Sequence, residues 1–200
     1  SVSRGNTPLV TIVLGTRPEA IKLAPVIRAF QQAADFRCRF VLTGQHREMV
    51  SQVMGLFGLE ADHDLALMAP KQTLTHITCA ALQGLKEEFA AHPPDLVLVQ
   101  GDTTTAFASA LAAFYEQIPV GHVEAGLRSF DMSMPEEINR IVTDRLSDVL
   151  LCTSADAIAH LAHEGVPAER IHLVGNPMID TLLANLDRFD ADRMRTQLQL

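Results

Sequence analysis

Positive charge is what this 200-residue chain has least of: 16 Lys and Arg face 24 Asp and Glu, a formal net charge of −8 with a pI near 5.4. Such a balance argues against nucleic acid or an anionic membrane as partner, although cations that converge locally can still hold an anionic ligand. No apolar run reaches the ~18 residues of a membrane span. The opening SVSRGNTP lacks the apolar core of a signal peptide and reads as a trimmed or tag-derived tail over residues 1–8. Cys38, Cys79 and Cys152 are the only cysteines. They are odd in number, widely spaced and set in apolar segments, which predicts buried thiols of a reducing cytoplasm. There is no GxSxG elbow, no Cys–His arrangement, and no GxGxxG turn for a tightly held dinucleotide. His160 and His163 lie i,i+3 on a predicted helix without the Cys, His or acid cluster that would complete a zinc set, so solvated side chains are expected. No repeat and no low-complexity segment occurs.

What is present is a long alternation of short apolar runs and helical stretches. Hydrophobic residues make up 48% and charged residues 20%, a soluble globular composition with a sizeable core. Leu9–Leu14 reads as a buried strand, then 19–33 as a helix with Pro18 at its start. Strand 39–42 and helix 47–58 follow, then helix 73–91, strand 96–99 and helix Thr104–Tyr115. Strand Val120–Val123, helix 134–147, strand Val149–Cys152, helix 154–164, strand 171–174 and helix 178–186 complete the pattern. Alternation at this spacing predicts an α/β fold, a Rossmann-like parallel sheet with helices on both faces.

In such sheets ligands sit beyond the carboxyl ends of the strands. Those ends carry Gly15-Thr16-Arg17, Thr43-Gly44-Gln45-His46-Arg47, Gln100-Gly101-Asp102-Thr103-Thr104, Glu124-Ala125-Gly126-Leu127-Arg128 and Gly175-Asn176-Pro177. Arg17, Lys22 and Arg128 supply cations; Asp102, Glu124, Asp131, Glu136 and Glu137 supply carboxylates. Together they point to proton transfer beside a negatively charged leaving group. Arg and Lys would meet the charge of a departing pyrophosphate, and one carboxyl would act as acid while another is base. His46 is a candidate for ligand contact. Plainer roles stay open. Lys22 can pair with Glu19 at i,i+3, Arg17 can cap a neighbouring helix end, and Asp102 can be a helix N-cap. Glu136 and Glu137 fall in a first helical turn, where the helix dipole favours acids. His122, inside a strand, reads as a satisfied core residue. Glu124 has no capping duty in view.

Six segments, GTRPEAIKLAP, TGQHREM, GDTTT, PVGHVEAGLRS, MPEEINR and GNPMID, stand in a distinctive order and spacing. In them the chain resembles the non-hydrolysing UDP-N-acetylglucosamine 2-epimerases, from about Leu9 to Asp187. The resemblance implies two Rossmann-like domains facing a cleft, as in GT-B glycosyltransferases. Residues 9–187 would be the N-terminal domain, the first half of a GT-B-type fold. Residues 188–200 would begin the interdomain segment, with the second domain absent from the chain given. It also implies reversible inversion at C2 of UDP-GlcNAc to UDP-ManNAc, by elimination and re-addition of UDP, for cell-surface polysaccharide precursors. The family's functional residues fall on Arg17, Lys22, Asp102, Glu124 and Glu136. We therefore expect Asp102, Glu124 and Glu136 to be catalytic, and Arg17, Lys22, His46 and Arg128 to bind the UDP-sugar substrate. No cofactor, metal, nucleic acid or membrane is expected, and the full-length form is expected to be a cytoplasmic homodimer. The alternatives are a UDP-GalNAc or diacetamido-uronate 2-epimerase, a GT-B glycosyltransferase, and an inactive ligand-binding single domain. The stretch SFDMSM between GLR and PEE is shorter than in several bacterial members, which leaves room for a related sugar.

Overall fold

The run LVTIVL forms strand β1, Leu9–Leu14, buried at every position. A strand covered by helices on both faces needs no polar alternation. In the computed structural model, which describes residues 7–175 apart from 68 and 70, six further strands follow. They are β2 (Arg37–Leu42), β3 (His63–Asp64), β4 (Leu96–Gln100), β5 (Val120–Val123), β6 (Val149–Cys152) and β7 (Ile171–Leu173). All pair in parallel, in the order β3-β2-β1-β4-β5-β6-β7. The winding reverses between β1 and β4, which opens the crevice where doubly wound sheets place ligands.

Helices α1 (Arg17–Gln32) and α2 (Arg47–Leu56) cover one face, where Leu23 and Ile27 meet Ile12, Leu14, Phe40 and Leu42. Each such buried side chain contributes about 1.5–3 kcal/mol. Helices α3 (Leu74–Ala91) and α4 (Thr104–Tyr115) cover the other, with Leu85 and Phe89 against Val13, Val97, Val99 and Val120. Five alanines of α4 are buried, and their small side chains let that helix lie close to its neighbours. Helix α5 (Pro135–Leu146) packs beside α4. Helix α6 (Ala155–His163) sets Ala157 and Leu161 on Leu150 and Cys152.

The architecture matches the α/β expectation, a parallel sheet with helices on both faces. Some details differ. The two-residue strand β3 and a 3-10 turn at Ala168–Arg170 are too short to leave a periodic signal. Helix α1 begins at Arg17 because Thr16, still extended, is its N-cap. The expectation of three buried thiols is corrected: Cys152 is buried, Cys38 is half-buried and Cys79 is exposed. Along α3 the inward positions are Ile77, Ala81 and Leu85, and Cys79 falls on the opposite side of that stripe. Burial pushes the Cys38 and Cys152 thiols up to about 11, away from thiolate chemistry. The predicted helix 178–186 lies outside the described residues. Among the described residues no helix is long and apolar enough to cross a membrane.

The packing makes two glycines unequal. At Gly126 (φ +80°) an added Cβ would lie 2.4 Å from the Ala157 carbonyl oxygen, whereas at Gly55 in α2 it would meet nothing within 4 Å. Gly126→Ala is expected to lose about 3 kcal/mol in urea unfolding, through overpacking and left-handed strain. Gly55→Ala is expected to gain about 0.5–1 kcal/mol from helix propensity.

Candidate active site

The turn after β1 shows why it carries no glycine cradle. Pro18 sits at the start of α1, where a missing N–H costs little. Glu19 folds back over that turn. Its Oε2 accepts from the N–H groups of Gly15 (3.1 Å) and Thr16 (2.7 Å) and from the Thr16 hydroxyl (2.7 Å). Its Oε1 accepts from the Thr103 hydroxyl at 2.9 Å. Burial pushes the carboxyl up by more than the Thr16, Gly15 and Thr103 donors pull it down. The amides that a dinucleotide fold turns on a phosphate are thus occupied by the chain's own carboxyl group. Gly15 answers a packing need instead, since a Cβ there would lie 2.3 Å from Thr43 Oγ1.

With Glu19 buried, Lys22 does not pair with it on the surface. Lys22 Nζ reaches Glu124 at the tip of β5, 2.8 Å from Oε1 and 2.9 Å from Oε2. Gln100 Nε2 donates to the same Oε2 at 2.8 Å. Only 11% of the Glu124 side chain is exposed. Glu124 also holds a left-handed backbone, φ +63°, a conformation that costs a non-glycine residue about 1–2 kcal/mol. The strain sits at a strand tip with the carboxylate aimed by two partners, which makes Glu124 a candidate functional position. Gln100 was missed in the sequence. Its only signal is an amide ending the apolar run LVLV, and the β4–β5 register sets it beside Val123 and hence next to Glu124.

Asp102 is not a cap. Thr103 has that duty, accepting from the Ala106 N–H at 2.9 Å. Asp102 Oδ2 instead pairs with Arg140 at 2.5 Å, with 38% of the Asp102 side chain still exposed. Asn139 donates to the Asp102 backbone oxygen at 3.0 Å. Arg140 and Asn139, also missed, both come from α5. Of the two acids that open this helix, Glu137 is buried. It accepts from the Ser129 N–H and hydroxyl, the Phe130 N–H and Arg140. Burial pushes its carboxyl up, but the Ser129, Phe130 and Arg140 donors outweigh burial and hold it below the ordinary range. Glu136 is exposed, with no side-chain partner among the described residues.

Arg128 departs from its expected place. Its side chain is 1% exposed and all three nitrogens are engaged. Glu164 takes Nε and Nη2 at 2.8 Å each, while Leu127 O and Asp144 Oδ2 take Nη1. Burial alone would lower its pKa, yet Glu164 and Asp144 hold it raised. It braces the loop after β5, and with four of its five N–H donors engaged and its side chain buried it is turned away from a ligand. His160 is likewise more than a solvated side chain. Its Nδ1 lies 2.9 Å from Gly126 O and its ring meets Phe130 edge-on, centroids 5.3 Å apart. His163 is exposed. Arg17 is half-buried, and His46 is exposed with φ 52°. Neither side chain has a partner among the described residues.

The tips of β1, β4 and β5 are therefore bonded into one rim, by Lys22–Glu124, Gln100–Glu124 and Glu19–Thr103, with α5 holding Asp102 from behind. Acids and cations gathered at the switch point of a doubly wound parallel sheet define a Rossmann-like α/β unit of the GT-B kind. Residues 28–199 match the family model described as UDP-N-acetylglucosamine 2-epimerase. The protein of that name from Salmonella typhimurium is 47% identical over 192 residues, 94% of this chain and 51% of that one. The crystal structure of UDP-GlcNAc 2-epimerase from Neisseria meningitidis bound to UDP-GlcNAc superposes with a TM-score of 0.89 at 42% identity, covering 96% of this chain and 52% of that one. The Methanocaldococcus jannaschii enzyme in complex with UDP-GlcNAc and UDP gives a TM-score of 0.86 at 38% identity, with 90% and 50% covered. The chain belongs to the UDP-N-acetylglucosamine 2-epimerase family. It spans about half the length of the curated relatives it matches.

Glu137 gives the site a pH signature. Because its folded pKa is depressed, its contribution is complete above the ordinary Glu value of about 4.3 and is lost as pH falls through the folded value. Glu137→Gln is expected to cost about 1–3 kcal/mol near neutrality. The gap from the unsubstituted protein should close in acid, as urea unfolding at a series of pH values would show.

Proposed function

We propose that this chain is the N-terminal half of an enzyme that reversibly inverts C2 of a UDP-N-acetylhexosamine, converting UDP-GlcNAc to UDP-ManNAc. The bonding of Lys22, Gln100 and Glu124 at the switch point, beside the turn that carries Asp102, is the observation that supports it most. Solved relatives that hold UDP-GlcNAc agree with it. In this reading residues 9–187 form one domain, residues 188–200 begin the interdomain segment, and a second domain completes the cleft. A cytoplasmic homodimer serving cell-surface polysaccharide precursors rests on the family resemblance alone.

The chemistry explains why acids and cations are needed together. C2 of the hexose adjoins no carbonyl, so loss of its proton must be coupled to departure of the group on C1. A base takes the C2 proton, the C–H electrons form the C1=C2 bond, and the C1–O bond breaks with its pair on the UDP oxygen. UDP then adds back to C1 of the 2-acetamidoglucal while a proton reaches the opposite face of C2. The cycle consumes no oxidant or reductant. Asp102 and Glu124, on adjacent strand tips, carry the proton transfers, and Glu136 assists. Arg17 and Lys22 meet the charge on departing UDP, and His46 contacts the ligand. Lys22 donates one hydrogen bond to Glu124, and its remaining N–H donors can turn to a phosphate oxygen.

The test is NMR of UDP-GlcNAc and UDP-GalNAc incubated with the full-length protein in D2O. Epimerised product with deuterium at C2 is the expected result, and product from neither sugar overturns the reading. Asp102→Asn and Glu124→Gln should each slow turnover by about 10²–10⁴-fold. Deuterium wash-in that survives Asp102→Asn would remove Asp102 from the proton transfer.

A further inference from the structure

We propose that His122 is a positioning residue, a doubly donating imidazolium that sets the spacing between the Asp102 turn and the Glu124 turn. The proposal rests on the reading that those two acids perform the chemistry.

His122 lies in β5 and is fully buried. Its Nε2 is 2.7 Å from the Gly101 carbonyl oxygen, and its Nδ1 is 2.6 Å from Asp144 Oδ1. A backbone carbonyl has no proton to give, so Nε2 carries one. The other oxygen of Asp144 accepts from the Gly126 N–H at 3.1 Å and from Arg128 at 2.8 Å. A carboxylate so supplied with donors, one of them a guanidinium, is ionised. Nδ1 therefore donates as well, and with both nitrogens protonated the ring is charged. His122 and Arg128 then balance the buried Asp144 and the partly exposed Glu164 in a set with no net charge.

The placement of the two partners gives the ring its role. Gly101 (φ +75°) immediately precedes Asp102, and Gly126 (φ +80°) follows Glu124 by two residues. One ring thus grips the first turn directly and the second through Asp144. His122 touches neither acid and acts only through the turns. Asp144 shares α5 with Asn139 and Arg140, which hold Asp102 itself. Burying three charges, those of His122, Asp144 and Arg128, stabilises a fold poorly compared with apolar side chains of equal volume, so stability alone does not account for the set. Registration of two catalytic turns does.

Two measurements on the full-length protein decide the matter. A ¹H–¹⁵N correlation spectrum of histidine-labelled protein should show protons on both His122 nitrogens, and a singly protonated ring overturns the proposal. His122→Asn can satisfy only one of the two acceptors. It should lower kcat about 10²-fold, as a small misplacement of reacting groups does, while KM for UDP-GlcNAc stays within roughly threefold and circular dichroism is unchanged. An unchanged kcat, or a change in KM alone, overturns it. Should His122→Asn fail to fold, Asp144→Asn keeps the shape and is read by the same split. If the unsubstituted enzyme epimerises neither sugar, the functional reading falls with its catalytic half, and the spectrum still decides the state of the ring.

Discussion

The ion pair between Lys22 and Glu124 joins residues 102 positions apart and ties the second turn of α1 to the tip of β5. It also holds a backbone that would otherwise relax. Left-handed φ at Glu124 costs about 1–2 kcal/mol, whereas a hydrogen bond to a charged group contributes about 1.5–3 kcal/mol. Lys22 and Gln100 each supply one such bond, so the strained conformation wins. Without Lys22 the balance would be close, and the carboxylate would lose its aim before the sheet lost its fold.

Helix α5 is the counterweight on the other face. Its buried positions are Glu137, Thr143 and Asp144, so much of its inward surface is polar. Apart from Thr143, which donates to the Asn139 carbonyl of its own helix, its polar groups hold loops. Glu137 takes residues 129–130, Asn139 and Arg140 take Asp102, and Asp144 takes Gly126 and Arg128. A helix normally buries an apolar stripe for stability. This one uses part of that stripe for positioning, while the apolar core is left to α1, α3 and α4.

That inversion explains what could and could not be read from the chain. The strands were legible because LVTIVL and LVLV are short apolar runs bounded by Gly, Pro and Asp. Glu124 was legible because it ends such a run with no capping duty. The partners were not. MPEEINR looks like an ordinary surface helix, and nothing local distinguishes Glu137, which is buried, from Glu136, which is open. Lys22 has an acid three residues away, yet its actual partner is Glu124. Arg128 looked available until α6 brought Glu164 onto it. Each miss is a pairing between distant segments, which periodicity and capping rules do not encode.

The same pairings divide the proposed reaction between two halves of a cleft. Among the described cations at the strand ends and on α5, Lys22, Arg47, Arg128 and Arg140 are paired with acids of this chain, and Arg17 has no partner among the described residues. The amides at the start of α1 are taken by Glu19. A nucleotide diphosphate brings more negative charge than one guanidinium and an already paired lysine can meet, and charge left unmet in a partly dry site is costly. In the proposed reaction the rest of that charge would be met by groups beyond these residues; the chain spans about half of each matched relative. In that reading this half would contribute acids already oriented by their own cations. With most of its rim cations already paired, the affinity for UDP would come chiefly from the opposing wall and the proton chemistry from this one.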